Sequence, residues 1–551
     1  MVYFARDNAR SSGLFWSNPS ETWIDISDQE NKGKRVRFIS EGGFIEFFAF
    51  SSNSHSSLTS IYTTLTGRPL FVPEFALGFH QGRWGYYSDI EVESVSKQLD
   101  DHLIPHETMW LSIDSLANKR EFFTFSEDSL PNPEKLFDNF AKCGRYIIVP
   151  VGPSLQAMNE NYAVYKEAKE KDLLIKTKGN NIYYANSYPG KCAWPDFLNP
   201  KTASWWESLF SYQSFKHSRP NMFVWSDYNQ PVVLEDYEMT LERGLIHHNN
   251  VEEREVHNIH GHLISAATYK GLLNRDHQRP FLLTTSYFAG TQKYSIVTVT
   301  GSSGNWNTLK SSVSLILQLG LCGHAYSGVD IGGYFDHPDH KLIARWYQVG
   351  AWVYPFFRTN CHHLGSHREI YLLNNDENQS FPYEVAREAV VDRYLLLPYW
   401  YTLAHKTHET GEPLIKPIWW DLKSDDYTKF VDVDDKVMLG DSLFIVPFLE
   451  NEQNEQEIKF PGASRWYCYR SLEEIKEKET TIHSKDGRTA VFIKGGKIIP
   501  KKVQLRRSSK LMKPDPLQLI IAVDHNNKAS GEVYIDDGCT FNYETSKEYI
   551  N

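Results

Sequence analysis

The sequence contains few cysteines and no closely spaced pair of them. The six are Cys143, Cys192, Cys322, Cys361, Cys468 and Cys539. Zinc ribbons and redox sites usually carry a CxxC pair, and small disulfide scaffolds need many neighbouring cysteines. The spacing therefore excludes an evident cysteine-based zinc site and a dense disulfide framework.

Histidine spacing likewise gives no sign of a metal centre. His247, His248, His257 and His260 lie within one stretch but match no zinc-ligand pattern. We interpret them as solvated or core histidines. The sequence predicts a site with no metal and no cofactor.

Positive charge and long apolar runs are also scarce. The formal net charge is -11, which argues against nucleic acid as a partner because phosphate binding relies on clustered Lys and Arg. No apolar run is long enough to span a membrane, so no membrane insertion is expected. Charged and polar residues follow Met1-Val-Tyr-Phe-Ala5 at once, unlike a signal peptide. Taken literally, this start predicts a cytoplasmic chain if Met1 is the true start. The single sequon, at Asn378, would matter only in a secretory compartment.

The 551 residues are enough for several domains. Residues 1–65 contain short β-like pieces, too few to close a β-sandwich, so we expect a partial N-terminal sandwich region. Residues 66–410 alternate apolar strands with helical stretches. Residues 411–500 return to β structure as a proximal C-terminal domain, and 501–551 form a distal β region that we expect to be truncated.

The central segment contains the pattern of an α/β protein with a (β/α)8 TIM barrel. Eight strands close such a barrel, and a long insertion at about 155–220 interrupts the alternation. The strands are predicted at Phe75–His80, Thr108–Asp114, Tyr146–Gly152, Asn221–Asp227, Pro280–Ser286, Ser295–Gly301, His324–Asp330 and Pro355–Asn360.

The strand from Asn221 ends in the carboxylate of Asp227. Catalytic groups of β/α barrels lie at the carboxyl ends of the strands. Asp227 is therefore the first candidate for a catalytic residue.

Motifs in one consistent order extend through essentially the whole chain. They include Thr66-Gly-Arg-Pro69, Gly78-Phe-His-Gln-Gly-Arg-Trp84, Val256-His-Asn-Ile-His-Gly261, Phe288-Ala-Gly-Thr-Gln292, Val329-Asp-Ile-Gly-Gly333, Pro355-Phe-Phe-Arg358 and Leu505-Arg-Arg-Ser-Ser509. With these motifs the chain resembles glycoside hydrolase family 31. The likeness is greatest to members that trim α-linked glucose from N-glycans in the endoplasmic reticulum lumen beside a smaller β-type subunit. The resemblance implies that activity, that location and that partner.

By the same resemblance, Asp227 occupies the position of the nucleophile. A retaining glycosidase needs a second carboxyl group as acid and base. The family position of that group falls on Gly301, or on Ser302 after a slip of one residue. No Asp or Glu occurs between Asp276 and Asp330, so no neighbour replaces it.

At the other sugar-binding positions of the family, this chain retains some of the family's residues and replaces others. The retained residues are Trp225, Asp330, Arg358 and His362. Tyr188 is a conservative aromatic change. Asp114 lies two residues after Ser112, which stands where the family has an Asp. Those that are replaced are Ser112, Gly152, Thr285, Thr298 and Asn360. Asp330 and Arg358 could be sugar ligands or a structural ion pair.

Three functional hypotheses follow. The preferred one is an α-glucosidase-like protein that is hydrolytically impaired or inactive. The second is an active retaining α-glucosidase whose acid comes from elsewhere, such as the insertion at about 155–220. The third is a non-enzymatic remnant that binds carbohydrate or a partner.

Overall fold

A computed structural model describes residues 2–7, 10–29, 33–118, 120–374, 381–422, 424–453, 455–483, 487–546 and 549. The sequon at Asn378 lies outside these ranges. In the N-terminal segment, β2 pairs with both β1 and β5, while β3 and β4 form a separate hairpin. The elements are β1 (Val2–Asp7), β2 (Arg10–Trp16), β3 (Thr22–Asp28), β4 (Lys34–Ser40), β5 (Phe47–Ser52) and α1 (His55–Thr66).

The central segment alternates strands and helices, as follows. They are β6 (Phe79–Gly82), α2 (Asp89–Asp101), β7 (Thr108–Trp110), α3 (Pro133–Lys142), β8 (Tyr146–Val151), β9 (Leu155–Gln156), α4 (Ala163–Glu170), β10 (Ala185–Ser187), β11 (Gly190–Ala193), α5 (Pro200–Ser208), β12 (Met222–Ser226), α6 (Glu253–Val256), α7 (His260–Asp276), β13 (Leu282–Thr284), β14 (Ile296–Val299), α8 (Trp306–Leu321), β15 (Ser327–Val329), α9 (His340–Val353), β16 (Phe357–Arg358), α10 (Phe381–Leu395) and α11 (Leu397–Thr410).

Eight of these strands form one parallel sheet in the order β15-β14-β13-β12-β8-β7-β6-β16. Its two edges meet, because the Phe356 amide donates to Ser327 O at 3.1 Å and the Ile331 amide donates to Arg358 O at 3.0 Å. The sheet is thus a nearly closed barrel of eight parallel strands. This confirms the predicted (β/α)8 fold, and each observed strand overlaps a predicted one.

The first barrel strand begins later than predicted. Residues Glu74–Leu77 form a turn of 3-10 helix instead, and the Phe75 ring stacks on Tyr146 at 3.9 Å between centroids. At Gly78 the backbone runs so close to Glu107 that a Cβ would lie 2.4 Å from its Cγ. Because of this packing at the base of the barrel, the strand begins only at Phe79.

Helix α2 illustrates how the sequence sets the helix boundaries. The hydroxyl of Ser88 accepts a hydrogen bond from the Glu91 amide at 3.2 Å, which caps the first turn. Val92, Val95 and Leu99 are buried at helical spacing. The cap and the apolar spacing together account for the helix at this position.

The insertion contributes the small sheet β9-β11-β10 and helices α4 and α5. After the barrel, β17-β18-β19-β24-β21-β22 form a six-stranded sheet, with β20-β23 and β25-β26 as separate pairs. These elements are β17 (Ile415–Pro417), α12 (Ser424–Phe430), β18 (Val437–Leu439), β19 (Leu443–Val446), β20 (Glu455–Lys459), β21 (Trp466–Cys468), β22 (Glu474–Ile475), β23 (Glu479–His483), β24 (Ala490–Lys494), β25 (Lys497–Lys502), α13 (Ser509–Met512), β26 (Leu517–Ala522) and α14 (Asn542–Thr545). The predicted domain boundaries stay predictions. None of the described helices has both the length and the apolar character needed to cross a bilayer.

Candidate active site

A pocket opens at the carboxyl ends of the barrel strands and holds about 80 Å³ of space. That is room for several water molecules. Most of its wall is aromatic or apolar. The lining residues are Arg83, Trp84, Trp110, Leu111, Ser112, Ile113, Arg120, Phe122, Pro150, Ser154, Ser187, Tyr188, Pro189, Trp225, Asp227, Tyr228, Tyr334, Arg358 and Asn360.

Asp227 follows the last residue of β12 and points into this pocket. Its Oδ1 accepts a hydrogen bond from the Tyr228 amide at 3.0 Å. Loss of water around the carboxyl group raises its pKa to about 7, although the Arg358 charge opposes the shift. The negative charge of Asp330 adds to the rise. Near neutral pH the group is therefore divided between its carboxylate and carboxylic acid forms.

Arg358 forms a buried ion pair with Asp330. Its Nη2 and Nε donate to the same Asp330 Oδ1 at 2.6 and 3.0 Å. The guanidinium also lies 4.7 Å from the centre of the Trp110 ring and 5.7 Å from that of Trp225. Of the two interpretations of Asp330 and Arg358, the structure contains the ion pair, and Arg358 reaches the pocket wall as part of it.

Aromatic rings form one side of the pocket. Tyr188 lies between β10 and β11 of the insertion and stacks on Tyr228 at 4.3 Å between ring centroids. Trp225 packs edge-on to Trp110 at 6.0 Å, and its indole N–H donates to Leu111 O at 3.4 Å. Tyr188 and Trp225, both predicted from the sequence, thus lie on the wall with Asp227.

Asp114 and His362 stand one layer behind that wall. Asp114 accepts a hydrogen bond from the hydroxyl of Ser112 at 2.9 Å, and Ser112 lines the pocket. His362 packs edge-on against the lining residues Trp84 and Tyr334, at 4.8 and 5.7 Å between ring centroids. In this arrangement both residues support lining side chains.

Neither position predicted for the acid/base group is among the described residues that line the pocket. Gly301 is exposed and has a φ of +72°, and a Cβ there would meet only the Phe335 ring edge, at 3.9 Å. The Ser302 carbonyl accepts from the amides of Tyr334 and Phe335 at 2.8 and 3.1 Å. Within the described part of the chain, Asp227 is the one carboxylate in the pocket lining.

Several lining residues were not predicted as site residues, among them Arg83, Trp84, Trp110, Arg120 and Tyr334. Two of them carried a usable signal. Trp110 is the last residue of β7, and Tyr334 follows Gly332-Gly333 just beyond β15. Large aromatic residues at strand ends of a barrel are candidates for its mouth. Arg83 and Arg120 carried no such signal.

Away from this pocket, three buried side chains could hold a metal ion. They are His247, Glu253 and His260, whose potential ligand atoms lie within 4.8 Å of one another.

Sequence comparison adds the family to this geometry. The family model described as "Glycosyl hydrolases family 31 TIM-barrel domain" matches residues 69–403. A second, "Glycosyl hydrolase family 31 C-terminal domain", matches residues 411–499. The chain belongs to glycoside hydrolase family 31. The family predicted from the motifs is therefore confirmed.

Among curated relatives, this family 31 chain is similar to human neutral alpha-glucosidase AB (Homo sapiens). The two are 35% identical over 575 residues, which cover 100% of this chain and 59% of the relative. The chain thus spans about three-fifths of the length of that protein.

Solved structures give the same result. A crystal structure of glucosidase II alpha subunit with bound Tris superimposes with a TM-score of 0.94 at 34% identity, over 99% of this chain and 60% of the other. An ER glucosidase II heterodimeric complex, consisting of a catalytic subunit and the binding domain of a regulatory subunit, gives the same TM-score, identity and coverage. The chain is therefore an α-glucosidase-like family 31 protein of glucosidase II α-subunit type.

Proposed function

We propose that this chain binds α-linked glucose residues in the barrel pocket and hydrolyses them very slowly or not at all. The observation that carries the proposal is the single carboxylate, Asp227, in the described lining of the pocket. A retaining mechanism uses one carboxylate to attack the anomeric carbon and a second group to protonate the leaving oxygen and then activate water. In this pocket Asp227 would supply the first role alone.

The expected loss of rate is large. General acid catalysis contributes roughly 10² to 10⁴ in rate. The raised pKa of Asp227, about 7, reduces the fraction of nucleophilic carboxylate at neutral pH further. Together these effects leave little turnover of an ordinary glucoside, whose leaving group needs a proton.

An acid displaced into the insertion receives no support from the described residues. The insertion contributes Ser187, Tyr188 and Pro189 to the lining, none of which is a carboxylic acid. Burial raises the pKa of the phenols of Tyr228 and Tyr334, and the charge of Asp227 raises both further. Those two tyrosines would therefore be weak proton donors.

The substrate, location and partner are proposed by similarity. The relatives named above are a neutral alpha-glucosidase and glucosidase II alpha subunits, one of them in an ER heterodimer with the binding domain of a regulatory subunit. We infer that this chain takes glucose-terminated N-glycan oligosaccharides, lies in the endoplasmic reticulum lumen and contacts a similar regulatory subunit. A remnant that binds only such a partner is the remaining alternative.

The test compares an ordinary α-glucoside with α-glucosyl fluoride on the purified protein. Fluoride leaves as an anion without a proton, so attack by the Asp227 carboxylate breaks the C–F bond and forms a glucosyl ester. Without a base to activate water, the ester should persist. We expect negligible hydrolysis of the ordinary glucoside, a mass increase of one glucosyl residue on Asp227, and no mass increase in Asp227→Ala.

Two other results would point elsewhere. Robust hydrolysis of the ordinary glucoside that Asp227→Ala abolishes would establish an active enzyme with a displaced acid. A folded protein that neither binds α-linked glucose disaccharides nor reacts with the fluoride would favour the non-enzymatic remnant.

A further inference from the structure

A buried cluster of histidine and carboxylate side chains lies outside the sugar pocket. His247 Nε2 is 2.7 Å from Glu253 Oε2. His260 Nε2 is 2.9 Å from the same oxygen and 3.0 Å from Oε1. The side chains of all three are at most 4% exposed. Two imidazole nitrogens and one carboxylate therefore converge on one small volume.

The other ring nitrogen of His247, Nδ1, contacts a carboxylate, as metal-binding histidines usually do. Its Nδ1 is 2.9 Å from Asp196 Oδ1, and Asp196 Oδ2 accepts from the His248 amide at 2.6 Å. A ligating histidine typically donates its second ring N–H to a carboxylate, which fixes the tautomer and the ring orientation. Asp196 holds Nε2 of His247 toward Glu253 in this way.

The separations of the ligand atoms suit a small divalent cation. Zinc binds imidazole nitrogen and carboxylate oxygen at about 2.0 to 2.2 Å. Tetrahedral ligands at that distance lie about 3.4 Å apart. The histidine-to-glutamate separations of 2.7 and 2.9 Å would need to grow by about half an ångström, and the ligand atoms of all three residues lie within 4.8 Å of one another. Two histidines and one Glu form a ligand set that zinc uses in proteins.

We propose that His247, Glu253 and His260 bind one Zn²⁺, with Asp196 positioning His247. A water molecule, or the nearby His257, completes the coordination. Sequence spacing did not indicate this site, because the three ligands are six and seven residues apart and the middle one is a glutamate.

The location of the site indicates a structural role. Asp196 lies between β11 and α5 of the insertion, whereas Glu253 begins α6 and His260 begins α7, both in the connection that follows Asp227. A metal ion here would bind the segment after β12, and the contact of Asp196 with His247 would link it to the insertion, which carries Tyr188. Zinc would thereby stabilise two parts of the chain that shape the sugar pocket.

The test measures metal binding directly. The protein is stripped with a chelator and then titrated with Zn²⁺ by calorimetry, and with Co²⁺ by visible absorption, which reports tetrahedral coordination. We expect one ion per chain, a higher unfolding temperature with Zn²⁺, and no comparable effect of Mg²⁺, which prefers oxygen ligands. His260→Gln should weaken Zn²⁺ binding by at least 100-fold, and Asp196→Asn by about 10- to 100-fold.

His217→Gln is the matched control, because His217 also pairs with a glutamate, Glu134, at 3.3 Å, but on the surface. It should bind Zn²⁺ like the unaltered protein. No bound ion in the unaltered protein, or equal affinity in His260→Gln, would overturn the proposal and leave the cluster as a hydrogen-bonded ion network. If His260→Gln does not fold, the stoichiometry and Co²⁺ spectrum of the unaltered protein, with Asp196→Asn, still decide.

Discussion

Arg358 directs two hydrogen bonds, at 2.6 and 3.0 Å, to one oxygen of Asp330 at the mouth of the barrel. The guanidinium therefore pairs directly with the Asp330 carboxylate, whereas it affects Asp227 only through the electrostatic field of its charge. Its charge lowers the pKa of Asp227 without offsetting the burial that raises it. In the proposed mechanism Asp227 would be a poor nucleophile at neutral pH, because burial raises its pKa to about 7 despite the nearby guanidinium.

Removal of Arg358 should destabilise the fold. The side chains of Asp330 and Arg358 are 0% and 2% exposed. Arg358→Ala leaves a buried charge without its partner, and breaking a buried pair in this way typically lowers the free energy of unfolding by about 3 to 5 kcal/mol. Urea denaturation followed by circular dichroism measures the change.

An exposed pair provides the control for that experiment. Lys97 and Asp101 are 72% and 52% exposed, so Lys97→Ala should change the free energy of unfolding by less than about 1 kcal/mol. The double substitution Arg358→Met with Asp330→Leu should recover most of the loss. Equal effects of Arg358→Ala and Lys97→Ala would mean that the buried pair contributes no more to the free energy of unfolding than an exposed pair does.

The raised pKa of Asp227 predicts a pH-dependent effect of Asp227→Asn on stability. The folded protein holds this proton up to about pH 7, whereas the unfolded chain releases it near the ordinary value of 3.8. The folded state thus binds more protons in that window, and the ionised group destabilises it increasingly as pH rises. Asp227→Asn should match the unaltered protein at pH 3.5 and exceed its free energy of unfolding at pH 8 by about 2 to 4 kcal/mol.

Thermal unfolding from pH 3.5 to 8.5 measures that difference, and Asp138→Asn, which removes a surface carboxylate, is the control. An Asp227→Asn curve parallel to the unaltered one at every pH would contradict the raised pKa. The same carboxylate should label faster with α-glucosyl fluoride as pH rises, with a midpoint near 7, because only the ionised form attacks.

Most of the fold could be predicted from the sequence because parallel barrel strands are buried on both faces. Strands such as Met222–Ser226 therefore stand out as continuous apolar runs. The start of the first strand could not be predicted, since it depends on the Phe75–Tyr146 stack and on the close approach of Gly78 to Glu107. Those contacts join residues far apart in the chain.

The site was predictable where a strand end carries the side chain, as for Asp227, Asp330 and Arg358. Prediction was limited where the position depends on how loops pack. Tyr334 reaches the wall through a loop held by Ser302, and the contacts among His247, Glu253 and His260 depend on how the short helix α6 leads into the start of α7. Sequence spacing alone does not determine such contacts.

Tyr188 should contribute to sugar binding at the pocket rim. It is 39% exposed and stacks on Tyr228, so one face remains available to a sugar ring. Pairs of aromatic rings contribute about 0.5 to 1.5 kcal/mol beyond their buried area, and we expect a ring-to-sugar contact to be of the same order. Tyr188→Ala should weaken binding of an α-linked glucose disaccharide by about 2- to 10-fold, measured by tryptophan fluorescence.

Two variants control this measurement. Tyr188→Phe keeps the ring and should bind nearly as well as the unaltered protein. Tyr237→Ala alters a fully exposed tyrosine outside the pocket and should have no effect. Tighter binding by Tyr188→Ala would show that the Tyr188–Tyr228 stack obstructs the sugar.

Restoring a carboxyl group at the predicted acid/base position should restore hydrolysis. Gly301→Asp places the group where a Cβ has open space around it. Its φ of +72° is a conformation that Asp tolerates better than most residues, at a cost of about 1 to 2 kcal/mol. Since general acid catalysis contributes roughly 10² to 10⁴ in rate and the altered pocket will not align the group ideally, we expect a gain of about 10- to 100-fold in kcat/KM on an ordinary α-glucoside. Ser302→Asp tests the alternative register.

Gly301→Asn separates the effect of the acidic proton from that of side-chain size. Asn resembles Asp in size and backbone preference but has no proton of suitable acidity. This variant should remain as slow as the unaltered protein, and Asp227→Ala should abolish any gain in Gly301→Asp. On α-glucosyl fluoride, attack by Asp227 needs no acid, so Gly301→Asp should leave labelling unchanged and accelerate release of the glucosyl group. Gly301→Asp and Gly301→Asn could behave alike on both substrates, with no gain in Ser302→Asp. The missing carboxyl group would then not be what limits the rate of hydrolysis, and the replaced sugar-binding residues would be the cause instead.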